Sequence, residues 1–329
     1  MQPRMKLFAT GAALALSQSA IAADFEAYGS LRLAVESVSP DTGDNYTGLR
    51  DAYSRVGVKF NTAINADWTL TAQLEVPLDL ANQGAHSPYD QEDKLRIGKA
   101  QLSGPVGTLW YGRGWMAYYN AIAYPVDYFS SYYSGWATPT TFRREKTLYY
   151  ASPDFNGLSF SAATTEDNGT EDKNRNQYVA SYAANNFSLA LGLDDNAGSA
   201  DNQIMGLAAS YTTGPWYIAG KYEEMSTSDE KNDGSTKNLL VQYRIDNKNT
   251  VRGMVADVDL PAWGGYGDTV IHLGWDHQYD DNLKVFLEYY QEESTAAISQ
   301  ANDSFGTSGY ISGTANGGQA FTMGVRYDF

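Results

Sequence analysis

The sequence predicts an all-β fold: a transmembrane antiparallel β-barrel of about sixteen strands, with short turns at one end and long loops at the other. Three observations predict it. Apolar and polar residues alternate with period two over segments of about ten residues. Tight-turn sequences take turns with long polar stretches along the chain. An export signal opens the sequence, yet no later run reaches the ~18 apolar residues that a membrane-spanning helix needs.

The alternation is clear in the first strand. Phe25, Ala27, Gly29, Leu31, Leu33 and Val35 form one face, and Glu26, Tyr28, Ser30, Arg32, Ala34 and Glu36 the other. Trp68, Leu70, Ala72, Leu74 and Val76 alternate with Thr69, Thr71, Gln73 and Glu75 in the same way. So do Leu283, Val285, Leu287 and Tyr289 with Lys284, Phe286, Glu288 and Tyr290. The chain ends on Phe321, Met323, Val325, Tyr327 and Phe329, set against Thr322, Gly324, Arg326 and Asp328. A tilted strand of about ten residues crosses a bilayer, whereas strands of soluble sandwiches run to about five or six.

Turn signals rich in Gly, Pro, Asn or Asp fall at Ala63–Ala66, Ser103–Gly107, Pro153–Gly157, Asn185–Asn186, Thr213–Pro215, Asp246–Asn249 and Asp280–Asn282. Longer polar stretches lie between them, at 39–49, 81–91, 114–141, 166–174, 195–202, 226–235, 259–268 and 294–318. Seven turns and eight loops join sixteen strands. An even count with this asymmetry matches bacterial outer-membrane barrels.

Residues 1–22 read as a signal peptide. Arg4 and Lys6 give a positive start, Leu7 to Leu16 an apolar run, and Ala20-Ile21-Ala22 a small-x-small cleavage site. Residues 23–329 then form one barrel domain. The precursor carries a net charge of −16, and removing Arg4 and Lys6 makes it −18. Such acidity argues against nucleic acid as a partner, because phosphate binding needs clustered Lys and Arg. The acidic pairs Glu166-Asp167, Glu171-Asp172, Glu223-Glu224 and Asp229-Glu230 sit in or beside loops and read as solvated charge. The 25 tyrosines suit rings that stand half in water, as at a membrane interface or on a Tyr-rich lectin; composition alone does not separate the two.

Catalysis finds no support. There is no Gly-x-Ser-x-Gly elbow and no phosphate-binding glycine loop. His86 lies in a loop, while His272 and His277, five apart on one strand, point to opposite faces and form no metal cluster. No cofactor and no metal are expected.

Four segments and the C-terminus then resemble the trimeric general-diffusion porins of Gram-negative bacteria. They are Phe25–Arg32, Ser54–Phe60, Gly107–Arg113 and Leu148–Leu158, with Phe329 at the end. The resemblance implies a water-filled channel for passive diffusion in the cell outer membrane and assembly as a homotrimer. It implies contacts with outer-membrane lipid and lipopolysaccharide. It also implies that the barrel-insertion machinery reads Phe321, Met323, Val325, Tyr327 and Phe329.

In that family the third loop folds inward and faces wall arginines. Carried over, the wall arginines would be Arg55, Arg96 and Arg143 or Arg144, with Arg113 and Arg32 as further candidates. The loop's single acid is Asp127, and Glu145 follows it. The loop also carries Trp115, Tyr118, Tyr119, Tyr124, Tyr128, Phe129, Tyr132, Tyr133 and Trp136. These rings either pack the loop against the inner wall or form a track for sugars and other ring-shaped solutes. Because Glu26, Glu36, Glu75, Glu288 and Asp127 project inward and offset the arginines, only a weak lean toward cations is expected.

Overall fold

The computed structural model describes residues 24–42, 44–88, 94–135, 137–166, 174–197, 201–228, 233–261, 266–293, 297–298 and 317–329. The signal segment with its cut after Ala22 lies outside these residues. So do Trp136, Asp167, Glu171-Asp172 and Asp229-Glu230.

The described strands form one antiparallel sheet closed on itself. The first half comprises β1 (Asp24–Pro40), β2 (Tyr46–Asp51), β3 (Ser54–Ala63), β4 (Thr69–Leu78), β5 (Ile97–Gly104), β6 (Gly107–Trp115), β7 (Arg143–Ala151) and β8 (Leu158–Thr165). The second comprises β9 (Arg175–Ala184), β10 (Phe187–Asp195), β11 (Gln203–Thr213), β12 (Trp216–Ser226), β13 (Gly234–Arg244), β14 (Asn249–Leu260), β15 (Tyr266–Gln278), β16 (Leu283–Glu292) and β17 (Gly318–Asp328). From β3 onward each strand pairs with the next in the chain, and β1 closes the ring on β17 with Leu33 opposite Val325.

Seventeen strands fill sixteen places in the wall. Both β2 and β3 pair with the same edge of β1, so they are one wall strand interrupted at Ala52-Tyr53. The interruption is stitched by side chains. Asp51 accepts the Ser54 N–H at 2.7 Å, and the Ser54 hydroxyl accepts the Arg32 N–H at 2.7 Å, replacing the missing ladder bond. Tyr53 takes a left-handed backbone with φ 67°, a conformation that alternation in sequence does not announce.

The expected turns and loops fall between these strands. Two residues, Asn185 and Asn186, join β9 to β10, and Asn185 adopts φ 52° as a tight hairpin requires. Asp246 closes another turn by accepting the N–H groups of Lys248 and Asn249, each at 2.7 Å.

The alternation decides which face meets lipid. Phe25, Leu70, Leu74, Leu273, Leu287, Phe321 and Met323 are exposed on the outside of the protomer. Their neighbours Glu75, His272, Glu288 and Thr322 are buried inside. At the seam, Phe329 exchanges both backbone hydrogen bonds with Gly29, at 2.9 and 3.1 Å. Its ring lies where a side chain at position 29 would stand: a Cβ there would be 2.4 Å from the ring, so the glycine makes room for the terminal phenylalanine.

Candidate functional site: a constriction formed by the inward-folded third loop

The 27 residues between β6 and β7, 116–142, fold into the lumen. They begin with a single π-helical turn, Tyr119–Ala123, and continue into a 3-10 turn, Tyr124–Val126, with Pro125 in its first turn. The loop leans on one side of the barrel. Tyr118, Ile122, Tyr132 and Tyr133 are buried in a core with Ile204, Met225, Val258, Val270 and Tyr290 of the wall. Phe129 stacks on His272 at 3.5 Å, and Tyr133 stacks on Tyr290 at 4.7 Å.

Buried polar side chains hold the loop backbone on the same side. Gln177 accepts the Tyr118 N–H at 2.9 Å. Glu288 accepts the Ser130 and Ser131 N–H groups at 2.6 and 3.0 Å, and also contacts His272 Nε2 at 3.0 Å. Lys221 donates to the Ala137 carbonyl at 2.9 Å and is ion-paired with Glu223, which accepts the Thr138 hydroxyl at 2.9 Å. Asp194, paired with Arg175, accepts the Thr140 hydroxyl at 2.8 Å. Hydrogen bonds to a charged acceptor contribute about 1.5–3 kcal/mol each, so together these contacts fix the pose of the loop.

Sequence reasoning missed these anchors. One signal was available. Gly192 and Gly206 lie mid-strand on the inward face, and a Cβ at Gly206 would stand 2.2 Å from the Tyr118 hydroxyl. A glycine inside a strand marks a place where something approaches the backbone closely.

The opposite side of the lumen carries the arginines. Arg32 and Arg326 face each other in register across β1 and β17. Arg32 lies within electrostatic reach of Arg55, Arg326 and Arg96, and Arg143 within reach of Arg96 and Arg113. Among the described residues, the Arg32 guanidinium bonds only to the Ser30 hydroxyl, at 2.9 Å, and that of Arg55 to the Tyr53 carbonyl, at 3.1 Å. Arg143 lies over the Trp115 ring at 4.4 Å. None of these three has a carboxylate in salt-bridge range among the described residues.

The remaining candidates are placed differently. Arg96 precedes β5 and is tied to Glu75 at 2.7 Å. Arg113 lies between Gly112 and Gly114, where the register shifts, and its guanidinium is bound to Glu145. Arg144 lies opposite Gly114 across the same pair of strands. Glu145 therefore neutralises a wall arginine and supplies no edge on the loop. Asp127 accepts hydroxyl hydrogen bonds from Tyr119, at 2.7 Å, and from Ser134.

The inward acids are engaged as well. Glu36 pairs with Arg50 at 2.6 Å and Glu26 with Lys59 at 3.2 Å. Arg252 pairs with Asp276, and Arg326 with Asp328, each at 2.7 Å. The constriction is therefore asymmetric: on the wall three arginines feel Asp328 or Glu75 at a distance but have no carboxylate in salt-bridge range among the described residues, and on the loop stands a single hydrogen-bonded carboxylate.

The aromatic residues divide between the two expected roles. Tyr118, Phe129, Tyr132 and Tyr133 are packing side chains against the wall. Trp115, Tyr119, Tyr124 and Tyr128 make a chain of ring contacts, with centroids 4.8, 6.3 and 5.7 Å apart, that continues to Tyr217 of β12 at 5.1 Å. Tyr124 is 50% exposed and Tyr128 half-buried, so this end of the chain reaches open lumen.

Known proteins share this architecture. An outer membrane protein of Erwinia amylovora, Omp-EA, is 26% identical over 277 residues, covering 77% of this chain and 72% of that one. Among solved structures, the anion-selective porin from Comamonas acidovorans superposes with a TM-score of 0.75 at 19% identity, covering 94% of this chain and all of that one. Salmonella typhi OmpF, in complex with daunomycin, gives 0.71 at 20% identity, over 93% and 97% of the two chains. The trimer form of Vibrio cholerae OmpT gives 0.66 at 15% identity, over 94% and 100%. The Gram-negative porin family matches residues 9–297. The chain belongs to that family, whose members are outer-membrane β-barrel channels without catalytic chemistry.

Proposed function

We propose that this porin is a water-filled channel for passive diffusion of ions and small hydrophilic solutes, leaning toward anions and working as a homotrimer. One observation carries the anion lean. Arg32, Arg55 and Arg143 line the wall without carboxylate partners, whereas Glu26, Glu36, Glu75 and Glu288 are each held by a basic side chain. The expected lean toward cations counted those acids as opposing charge. Paired charges leave little field in the pore, while unpaired charge in a ring sets ion preference. The acidic external loops act at a distance, and screening over about 8 Å at physiological salt weakens them. The test is the reversal potential of the wild-type channel across a potassium chloride gradient. Chloride preference is expected; potassium preference would remove the reading.

The homotrimer is supported by the outer surface. Tyr178, Tyr222 and Phe321 are exposed outer-rim aromatics of β9, β12 and β17. Across β2 and β4 the same rim carries the aliphatic Leu49 and Val76 instead. Interfacial rings belong where a barrel meets headgroups; an aliphatic face suits contact with another protomer. A trimer form is known for the structurally similar OmpT.

The proposal retains residues 1–22 as the export signal, outer-membrane lipid and lipopolysaccharide as the surroundings, and the insertion machinery as an assembly partner. Phe321, Met323, Val325, Tyr327 and Phe329 all face outward on the last strand, open to a docking factor before the seam closes. Deleting Phe329 removes both bonds to Gly29 and is expected to lower the yield of heat-modifiable protein in the outer membrane. Undiminished yield would remove this part of the proposal.

A further inference from the structure

The arginine edge and the exposed tyrosines face the same passage. Arg326, which stands opposite Arg32 in register, lies within electrostatic reach of the Tyr124 hydroxyl. A solute squeezed through the constriction therefore meets the guanidinium groups of Arg32 and Arg55 on one side, beside Arg326, which Asp328 already holds at 2.7 Å. On the other it meets the rings of Tyr124, Tyr128 and Tyr217. The two edges make different demands. The first favours a carboxylate, which guanidinium recognises through paired, charge-assisted hydrogen bonds. The second favours a flat apolar face.

The arrangement of the rings narrows the choice of that face. Tyr124 and Tyr128 are tilted by 34° to each other, and Tyr128 and Tyr217 by 50°. This is no flat platform for a sugar ring. Offset and edge-to-face contacts are what one aromatic ring offers another, at centroid separations of 4.5–7 Å. Trp115, the flat indole at the far end of the chain, is taken up by Tyr119 on one side and Arg143 on the other. Asp127 does not contest a bound carboxylate, because hydroxyl donors from Tyr119 and Ser134 hold it on the loop.

We propose that the constriction binds aromatic carboxylates in transit, the ring against Tyr124 and Tyr128 and the carboxylate against the Arg32–Arg55 edge. This rests on the diffusion-channel reading above and narrows its solute class. Tyr217 sets the position of the ring pair. Its hydroxyl donates to the Pro125 carbonyl at 2.9 Å and so ties the 3-10 turn carrying Tyr124 to β12.

The experiment uses the assembled wild-type protein in planar bilayers, carrying potassium chloride current. Benzoate, cyclohexanecarboxylate, anilinium and glucuronate are added in turn. An aromatic pair is worth about 0.5–1.5 kcal/mol beyond area burial, so benzoate should interrupt the current at about two- to tenfold lower concentration than cyclohexanecarboxylate. In Tyr124→Ala the two acids should converge. Equal block by the two acids in the wild-type channel overturns the proposal, as does a benzoate advantage that survives Tyr124→Ala. Anilinium acting as strongly as benzoate shows that the arginine edge plays no part. Glucuronate acting more strongly than benzoate assigns the site to sugar acids. Absence of any potassium chloride current would overturn the channel reading itself, an outcome separate from all of these.

Discussion

The two sides of the lumen obey one alternation rule and put it to opposite uses. On β10 and β11 the inward positions include the small or aliphatic Ala190, Gly192, Ile204, Gly206 and Ala208, and the third loop packs on them as on a protein core. On β1, β3 and β7 the inward positions carry Arg32, Arg55 and Arg143, whose guanidinium groups make no hydrogen bond to the loop among the described residues. Small residues allow close approach, and beside them buried charged groups such as Lys221 and Glu288 grip the loop backbone. The position of the pore is thus written in residue size as much as in charge. The loop settles where the wall is thin, and the passage is what remains.

The largest effect is expected from breaking the packed side. Glu288 accepts two loop N–H groups and pairs with His272, and all of these are buried. Glu288→Ala strands the donors in a dry environment, at about 1–3 kcal/mol for each donor left unsatisfied. The loop tip should leave the wall. Single-channel conductance should change markedly, with noisier open current, and the folded trimer should unfold at lower temperature in a gel-shift assay. Glu288→Gln keeps an acceptor and should lie between the two. A quiet channel of normal conductance in Glu288→Ala would mean that the hydrophobic contacts alone hold the loop.

A smaller effect tests residue size without touching charge. Gly206→Ala places a methyl 2.2 Å from the Tyr118 hydroxyl and 2.7 Å from Ile122. Tyr118 is fully buried, packed among Ile122, Ile204 and Met225. Overpacking of this kind costs about 1–3 kcal/mol. Moving the loop off the wall narrows the passage, so conductance should fall. Gly220→Ala on the adjacent strand meets nothing closer than a carbonyl at 3.4 Å and should leave conductance alone. Equal behaviour of the two variants would show that the loop does not rest on Gly206.

Much of this was legible in the sequence, and the division follows from range. Strand faces depend on alternate residues, so Leu70 and Glu75, or Met323 and Thr322, declared their sides from local pattern alone. Turns depend on four or five neighbouring residues and were placed as well as the strands. The interruption at Ala52-Tyr53 was not legible, because Ser54 and Asp51 replace the ladder through contacts with Arg32, twenty-two positions before Ser54. The loop anchors lie further still: Glu288 meets Ser130 across 158 positions. Alternation places an acid inside the barrel but does not say which segment it will hold. That is also why Glu75 and Glu36 read as free lumen charge until Arg96 and Arg50 were seen beside them. The loop's abundance of rings was visible, but their division into wall packing and lumen exposure required its pose.

The smallest predicted effect tests the other side of the comparison, and it needs a matched pair of variants. Arg55 has no carboxylate partner and bonds only to a backbone carbonyl. Arg252 also points inward, but on the packed side, where Asp276 holds it at 2.7 Å and the Phe129 ring lies beneath it at 5.8 Å. If unpaired charge is what a permeating ion senses, the two arginines differ in function despite sharing a face. Arg55→Glu changes the local charge by two units and should move the reversal potential toward cation preference. Arg252→Gln takes the Arg252–Asp276–Lys284 cluster from a net charge of +1 to zero, half the charge change of Arg55→Glu, and does so against the Phe129 ring of the loop. Its reversal potential should stay closer to that of the wild type. Measured at low salt, where the Debye length grows to about 30 Å at 0.01 M, the difference between the two should narrow, because distant wall charge is then felt as well. Equal shifts in both variants at 0.15 M salt would mean that pairing does not silence wall charge in this pore. The argument for an anion lean would then fall with it.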